Sequence, residues 1–78
     1  MAVSAFILVD VTGDHTKIAS KTITRIEGVK KVYPITGPHD LIIHIETDTF
    51  EEINELVLSK IRSVDGIMKT STAIVINL

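Results

Sequence analysis

The chain has 78 residues, a formal charge of −2, 45% hydrophobic content and no cysteine. That is room for one domain near the lower size for a lone core, and a chain this short buries only about 60–65% of its unfolded surface. The charge excludes a basic nucleic-acid footprint, and the missing cysteines exclude disulfides, thiol nucleophiles and cysteine metal sites.

The chain opens with "AVSAFILVDV", which is β-branched and apolar on both parities, as in a strand buried on both faces. Its apolar run is too short for a membrane span and lacks the basic flank of a signal peptide, so a cytoplasmic protein is expected. "TGDH" breaks the strand, with Asp14 the candidate N-cap of a first helix. Over Lys17 to Glu27, the residues Ile18, Ala19, Thr22, Ile23 and Ile26 share one helical face, and Gly28 stands where a helix-ending glycine belongs.

"VKKVYPI" reads as a short strand. Pro34 cannot donate to a ladder, which places that strand at a sheet edge. "DLIIHIET" follows, with Leu41, Ile43 and Ile45 on one face and Ile42, His44 and Glu46 on the other. A second helix starts near "DTFEE", where Thr49 with Glu52 fits a capping box and Asp48 with Glu51 fits equally. Phe50, Ile53, Val57, Ile61 and Val64 recur at helical spacing, Gly66 ends the run, and "IMKTSTAIVINL" is the last strand.

The order β-α-β-β-α-β contains a faint repeat. "RIEGV" (25–29) and "SVDGI" (63–67) each close a helix and open a strand. Two βαβ copies imply an α+β, ferredoxin-like split βαβ sandwich: a four-stranded antiparallel sheet in the order 4-1-3-2 with both helices on one face. That order independently puts the Pro34 strand at an edge. The first and third strands are apolar on both parities, so the uncovered face is a large apolar patch, which a soluble monomer rarely shows. A second sheet packed face to face, and hence at least a dimer, is expected.

The same topology gathers Thr12 to His15, the hairpin Thr36 to Asp40 and Lys69 to Thr72 at one end of the sheet. Hydroxyls, a carboxylate, imidazoles and a glycine backbone suit a small polar ligand. The second and fourth strands are at opposite edges, however, roughly 14–15 Å apart at the usual spacing. A small molecule touching both sets would have to bind between subunits.

The pattern "VKKVYPITGPHDLIIHIE…VDGIMKTSTAIVI" closely resembles the effector-binding (RAM) module of the leucine-responsive/asparagine, Lrp/AsnC, regulators, over nearly the whole chain. Its most specific parts are the hairpin "TG-two residues-D" and the "G-hydrophobic…T-x-T" entry to the last strand. The resemblance implies a βαββαβ dimer of the α+β barrel type that assembles into rings, octamers or decamers, with an amino acid or similar small effector at interfaces between dimers. By position it implies ligand contacts at Thr36, Gly37, His39, Asp40, Thr70 and Thr72, with Asp40 on the ligand's ammonium group and the Gly37 N–H and nearby hydroxyls on its carboxylate. The family's helix-turn-helix is absent from the pattern, so residues 1–78 are expected to be one stand-alone effector-binding domain that acts without direct nucleic-acid contact, with full-length regulators of the family among its expected partners. At position 39 the family often has an aromatic residue; here it is His39.

Plainer readings stand beside these. Gly, Pro and Asp are ordinary turn formers, and Asp40 could simply cap the turn. Thr70 and Thr72 are also ordinary strand residues, although they share a parity with Ile74 and Ile76. His15, His39 and His44 have no metal-ligand spacing, so no metal or cofactor is expected. Glu51, Glu52 and Glu55 read as a solvated helix face, and "TGDH" is not a phosphate loop. No nucleophile–base pair can be named, so no catalytic residue is expected. Alternatives are a ligand-free oligomerisation module, an ACT-like regulatory domain acting on an enzyme, and a small enzyme of the dimeric α+β barrel type using His39 or His44.

Overall fold

The computed structural model describes residues 2–77. Strand β1 is Val3–Val11, helix α1 is Thr16–Thr24, β2 is Val29–Pro34 and β3 is Leu41–Thr47. Helix α2 starts at Phe50–Glu55 and continues as a π-helical segment, Leu56–Ile61, before β4, Ile67–Ile74. The sheet order is β2-β3-β1-β4 with antiparallel neighbours, the 4-1-3-2 order that the alternation of elements implied. Pro34 accordingly ends an edge strand, where its missing N–H leaves no gap in a ladder.

One parity of the central strands builds the core. Ala5, Ile7, Val9 and Val11 of β1 and Leu41, Ile43 and Ile45 of β3 are buried beneath Ala19 and Ile23 of α1 and Ile53, Leu56, Val57 and Ile61 of α2. The helical stripes are narrower than the sequence pattern suggested. Ile18 is 64% exposed and Phe50 56% exposed. Ile18 lies along the groove between the two helices, with Thr22, Ile26 and Val64, while Ala19 beside it takes the buried position. Leu56 joins the core instead, where the helix widens into its π-helical segment and Arg62 N–H donates to Val57 O, five residues back, at 2.9 Å.

Asp14 does not cap α1. It lies in a short 3-10 turn, Gly13–His15, and His15 occupies the cap position without a side-chain bond. The turn carries the chain straight from β1 into the helix, so no separate cap is required of Asp14. At α2 the two equal readings are resolved: Thr49 Oγ1 accepts from Glu52 N–H at 3.2 Å and donates to Glu52 Oε1 at 3.1 Å.

The repeat is structural. Gly28 and Gly66 both have left-handed backbones, with φ of 99° and 92°. Each precedes the strand whose first N–H closes a matching turn, Val29 N–H to Ile26 O at 3.1 Å and Ile67 N–H to Val64 O at 3.2 Å. Helix α1 ends at Thr24, so Gly28 belongs to this turn and not to the helix terminus itself. Only glycine reaches that backbone region without strain.

The other parity forms an open face. Phe6 and Leu8 of β1, Ile42 and His44 of β3 and Tyr33 of β2 share it, and Phe6 and His44 stack with centroids 4.8 Å apart and planes 15° from parallel. Phe6 is 37% exposed and Tyr33 46%. Among the described residues, neither helix packs over this face.

Candidate functional site

The hairpin between β2 and β3 is built upward from its base. Ile35 N–H donates to Asp40 O and Asp40 N–H to Val9 O, each at 2.9 Å, so the loop proper is Thr36 to His39. Thr36, Gly37 and Pro38 are exposed and the Gly37–Pro38 peptide is cis. A Cβ at Gly37 would meet no atom of the subunit within 4 Å. The tip therefore projects from its own subunit instead of packing within it.

Asp40 holds the base of the loop. Its Oδ2 accepts from Val11 N–H at 2.8 Å, two residues beyond the last main-chain pairing of β1 with β3. The carboxylate takes the place of a ladder carbonyl that β3 cannot supply once the chain has turned away. The register of β1 against β4 also shifts between Asp10 and Val11, so this N–H lies at an irregular point of the strand. Asp40 thus does not cap its own turn: Oδ2 accepts from a strand 29 residues away in sequence. Oδ1 has no partner among the described residues.

His39 is tied to the same strand. Its Nδ1 lies 3.0 Å from Asp10 Oδ1, and both side chains are about one-third exposed, at 30% and 32%. With a carboxylate as acceptor, Nδ1 carries the hydrogen, which puts the lone pair of the neutral ring on Nε2. Sequence reasoning missed Asp10. The available signal was its parity at the end of β1 and the strand order, which together place it beside the residue that follows Pro38.

Thr70 and Thr72 are elsewhere. They pair with Val9 and Ile7 across β1–β4, and directly opposed residues share a face, so both hydroxyls project on the helix side of the sheet. Thr70 is half-buried and Thr72 exposed. Thr70 lines a shallow depression of about 280 Å³ with Arg62, Ile67, Met68 and Lys69. Strands β1 and β3 separate β4 from the hairpin strand β2. The structure thus joins His39, Asp40 and Asp10, leaves Thr36 and Gly37 on the projecting tip, and puts Thr70 and Thr72 at the other edge. Within one subunit the two groups do not meet.

A concavity of about 780 Å³ lies at the opposite end of the sheet, between the Gly28 turn, the end of β3 and α2. It is an open groove whose charged lining consists of long side chains such as Arg25, Glu52 and Lys60. Among the described residues there is no cluster of three or more His, Asp or Glu able to hold a metal ion, and no helix long and apolar enough to cross a membrane.

Comparison with known proteins places the chain in a family. The family model for the Lrp/AsnC ligand binding domain matches residues 4–78. The transcriptional regulator FL11 of Pyrococcus furiosus is 36% identical over 75 residues, which is 95% of this chain and 48% of that protein. The chain spans about half the length of that regulator. Homocitrate synthase of Sulfolobus acidocaldarius is 32% identical over 62 residues, 80% of this chain but 13% of the enzyme. Among solved structures, FFRP-DM1 superposes with a TM-score of 0.90 at 34% identity, covering 95% of this chain and 99% of that one. A transcriptional regulator of Neisseria meningitidis, solved as a complex with L-Met, shares the fold at 17% identity and a TM-score of 0.85, over 96% of this chain and 50% of its own. The chain belongs to the Lrp/AsnC ligand-binding-domain family.

Proposed function

We propose that this Lrp/AsnC-family domain is a non-enzymatic sensor of an amino acid or similar small zwitterion. The effector binds between subunits, to Thr36, Gly37, His39 and Asp40 of one and Thr70 and Thr72 of another, and thereby adjusts assembly or the action of full-length regulators of the family. The observation that carries this reading is the hairpin tip: a loop pinned at its base by Asp40 yet turned away from its own subunit, with Asp40 Oδ1 unengaged. A pinned polar loop loses little freedom on binding, which favours affinity. The regulator complexed with L-Met supports an amino acid as the effector class.

Assembly proceeds in two steps. The open sheet faces, with Phe6, Leu8, Ile42 and Tyr33, pack against each other in a homodimer, burying the apolar patch. Dimers then associate into a ring of eight or ten subunits through the hairpin tips. An effector that binds the ring and not the free dimer stabilises the ring by about 2.7 kcal/mol at a concentration 100-fold above its dissociation constant. Titrating the twenty amino acids while following melting temperature and native mass tests the proposal. No response to any of them would end it.

The similarity to homocitrate synthase favours a second reading, a regulatory domain whose output is an enzyme. Native mass spectrometry of this chain mixed with a full-length Lrp/AsnC regulator separates the two. Mixed oligomers support the regulator as partner; an effector response without mixed oligomers supports an enzyme.

A further inference from the structure

The hairpin offers a zwitterion an obvious partner for its ammonium group and none of matching charge for its carboxylate. Asp10 and Asp40 are both anionic, Pro38 has no N–H, and the loop Thr36 to His39 contains no lysine or arginine. The nearest cation by register is Lys69, opposite Asp10 on β4 and on the far side of β1 from the hairpin; it makes no ion pair with Asp10 within 4 Å. On β2 the Lys31 ammonium is 5.9 Å from the centroid of the Tyr33 ring. Asp14 and His15 of the 3-10 turn share this end of the sheet, and His15 Nδ1 is 3.1 Å from Thr12 O. Of the two imidazoles at this end, His39 is the one on the hairpin itself, adjacent to Asp40.

We infer that His39 Nε2 is the contact for the effector's carboxylate, with Asp10 as its positioning residue, so that effector binding takes up a proton. This rests on the reading of the hairpin as an effector site. The geometry points this way because the two ring nitrogens face divergent directions. The 3.0 Å bond from Nδ1 to Asp10 Oδ1 leaves Nε2 turned away from β1, without a partner among the described residues. That bond also holds the ring in the tautomer with hydrogen on Nδ1, so the only site left for a second proton is Nε2. Protonation there converts an acceptor, which repels a carboxylate, into a charge-assisted donor that binds one. Asp40 Oδ1 accepts from the ammonium group beside it. The imidazole and the carboxylate, adjacent in sequence, thus read the two ends of one amino acid.

The sign follows. Because binding takes up a proton, affinity rises as pH falls, by at most about tenfold per pH unit for one coupled proton. The test is calorimetry of the strongest-binding of the twenty amino acids at about pH 5.5 and about pH 8, with His39→Phe and Asp10→Asn beside the native chain. The native protein is expected to bind at least about fivefold tighter at the lower pH, with proton uptake visible as a dependence of heat on buffer. His39→Phe, an aromatic ring that cannot take up a proton, is expected to remove that dependence, and Asp10→Asn, which takes away the carboxylate that positions the ring, to weaken it. A native affinity independent of pH, or a pH profile unchanged in His39→Phe, overturns the inference while leaving the effector site standing. No binding by any amino acid at either pH overturns the effector site and the inference together.

Discussion

Replacing Asp40 with alanine removes the acceptor of Val11 N–H at the irregular end of β1. A hydrogen bond to a charged group contributes about 1.5–3 kcal/mol, and Asp40 is half-buried, so water repairs part of the loss. We expect Asp40→Ala to cost about 1–2 kcal/mol and to lower the melting temperature by about 5–15 °C, since 1 kcal/mol corresponds to about 4–8 °C in a domain of this size. Asp40→Asn keeps an oxygen where Oδ2 stands and is expected to cost less than half as much. Both variants should be melted without effector and at matched subunit concentration, because assembly shifts the apparent stability. A cost below about 0.3 kcal/mol for the alanine variant would show that the bond contributes nothing in solution. Equal costs for the two variants would show that the negative charge matters and the acceptor atom does not. Either result refutes the account of Asp40 as the carboxylate that finishes the β1 ladder.

Four further outcomes are expected. Gly66→Ala should destabilise by about 1–3 kcal/mol in urea unfolding, because its backbone is left-handed and the new Cβ would stand 2.6 Å from His15 Cβ. Gly37→Ala, with no atom within 4 Å and no left-handed backbone, should leave stability within about 0.5 kcal/mol and alter only the effector response. Leu8→Glu on the open face should yield a folded monomer by light scattering, since its side chain points away from the core and a charge there blocks sheet-to-sheet packing. Thr49→Ala should cost about 1 kcal/mol, the usual worth of an N-cap, with little effect on oligomer mass.

The outline of the fold was legible because its signals are local and periodic. Alternation in "LIIHIE" separates the core face from the open face, Pro34 marks an edge, and the two turns at Gly28 and Gly66 announce the repeat. The errors fell where a local signal is decided by something distant. Asp14 has a capping side chain, but the chain enters the helix by a 3-10 turn that leaves it nothing to cap. Ile18 and Phe50 keep the helical spacing, yet the buried stripe leaves them outside it. Leu56, three residues beyond Ile53, lies on the same helical face and is buried with Val57, although the pattern through Phe50, Ile53 and Val57 passes over it.

The candidate site divides the same way. "TGPHD" marks a hairpin, and strand order alone separates it from Thr70 and Thr72, because chain connectivity and crossover hand leave few arrangements of four strands. What each polar atom does required the tertiary structure. Only the packing of β3 against β1 brings Asp10, 29 residues away in sequence, within 3.0 Å of His39 and gives Val11 N–H to Asp40. Only the register across β1 shows that Thr70 and Thr72 project on the helix side of the sheet. Periodicity specifies which side of a strand a residue takes. The partner it finds there depends on how far neighbouring strands slide past each other, and that is decided by packing in three dimensions.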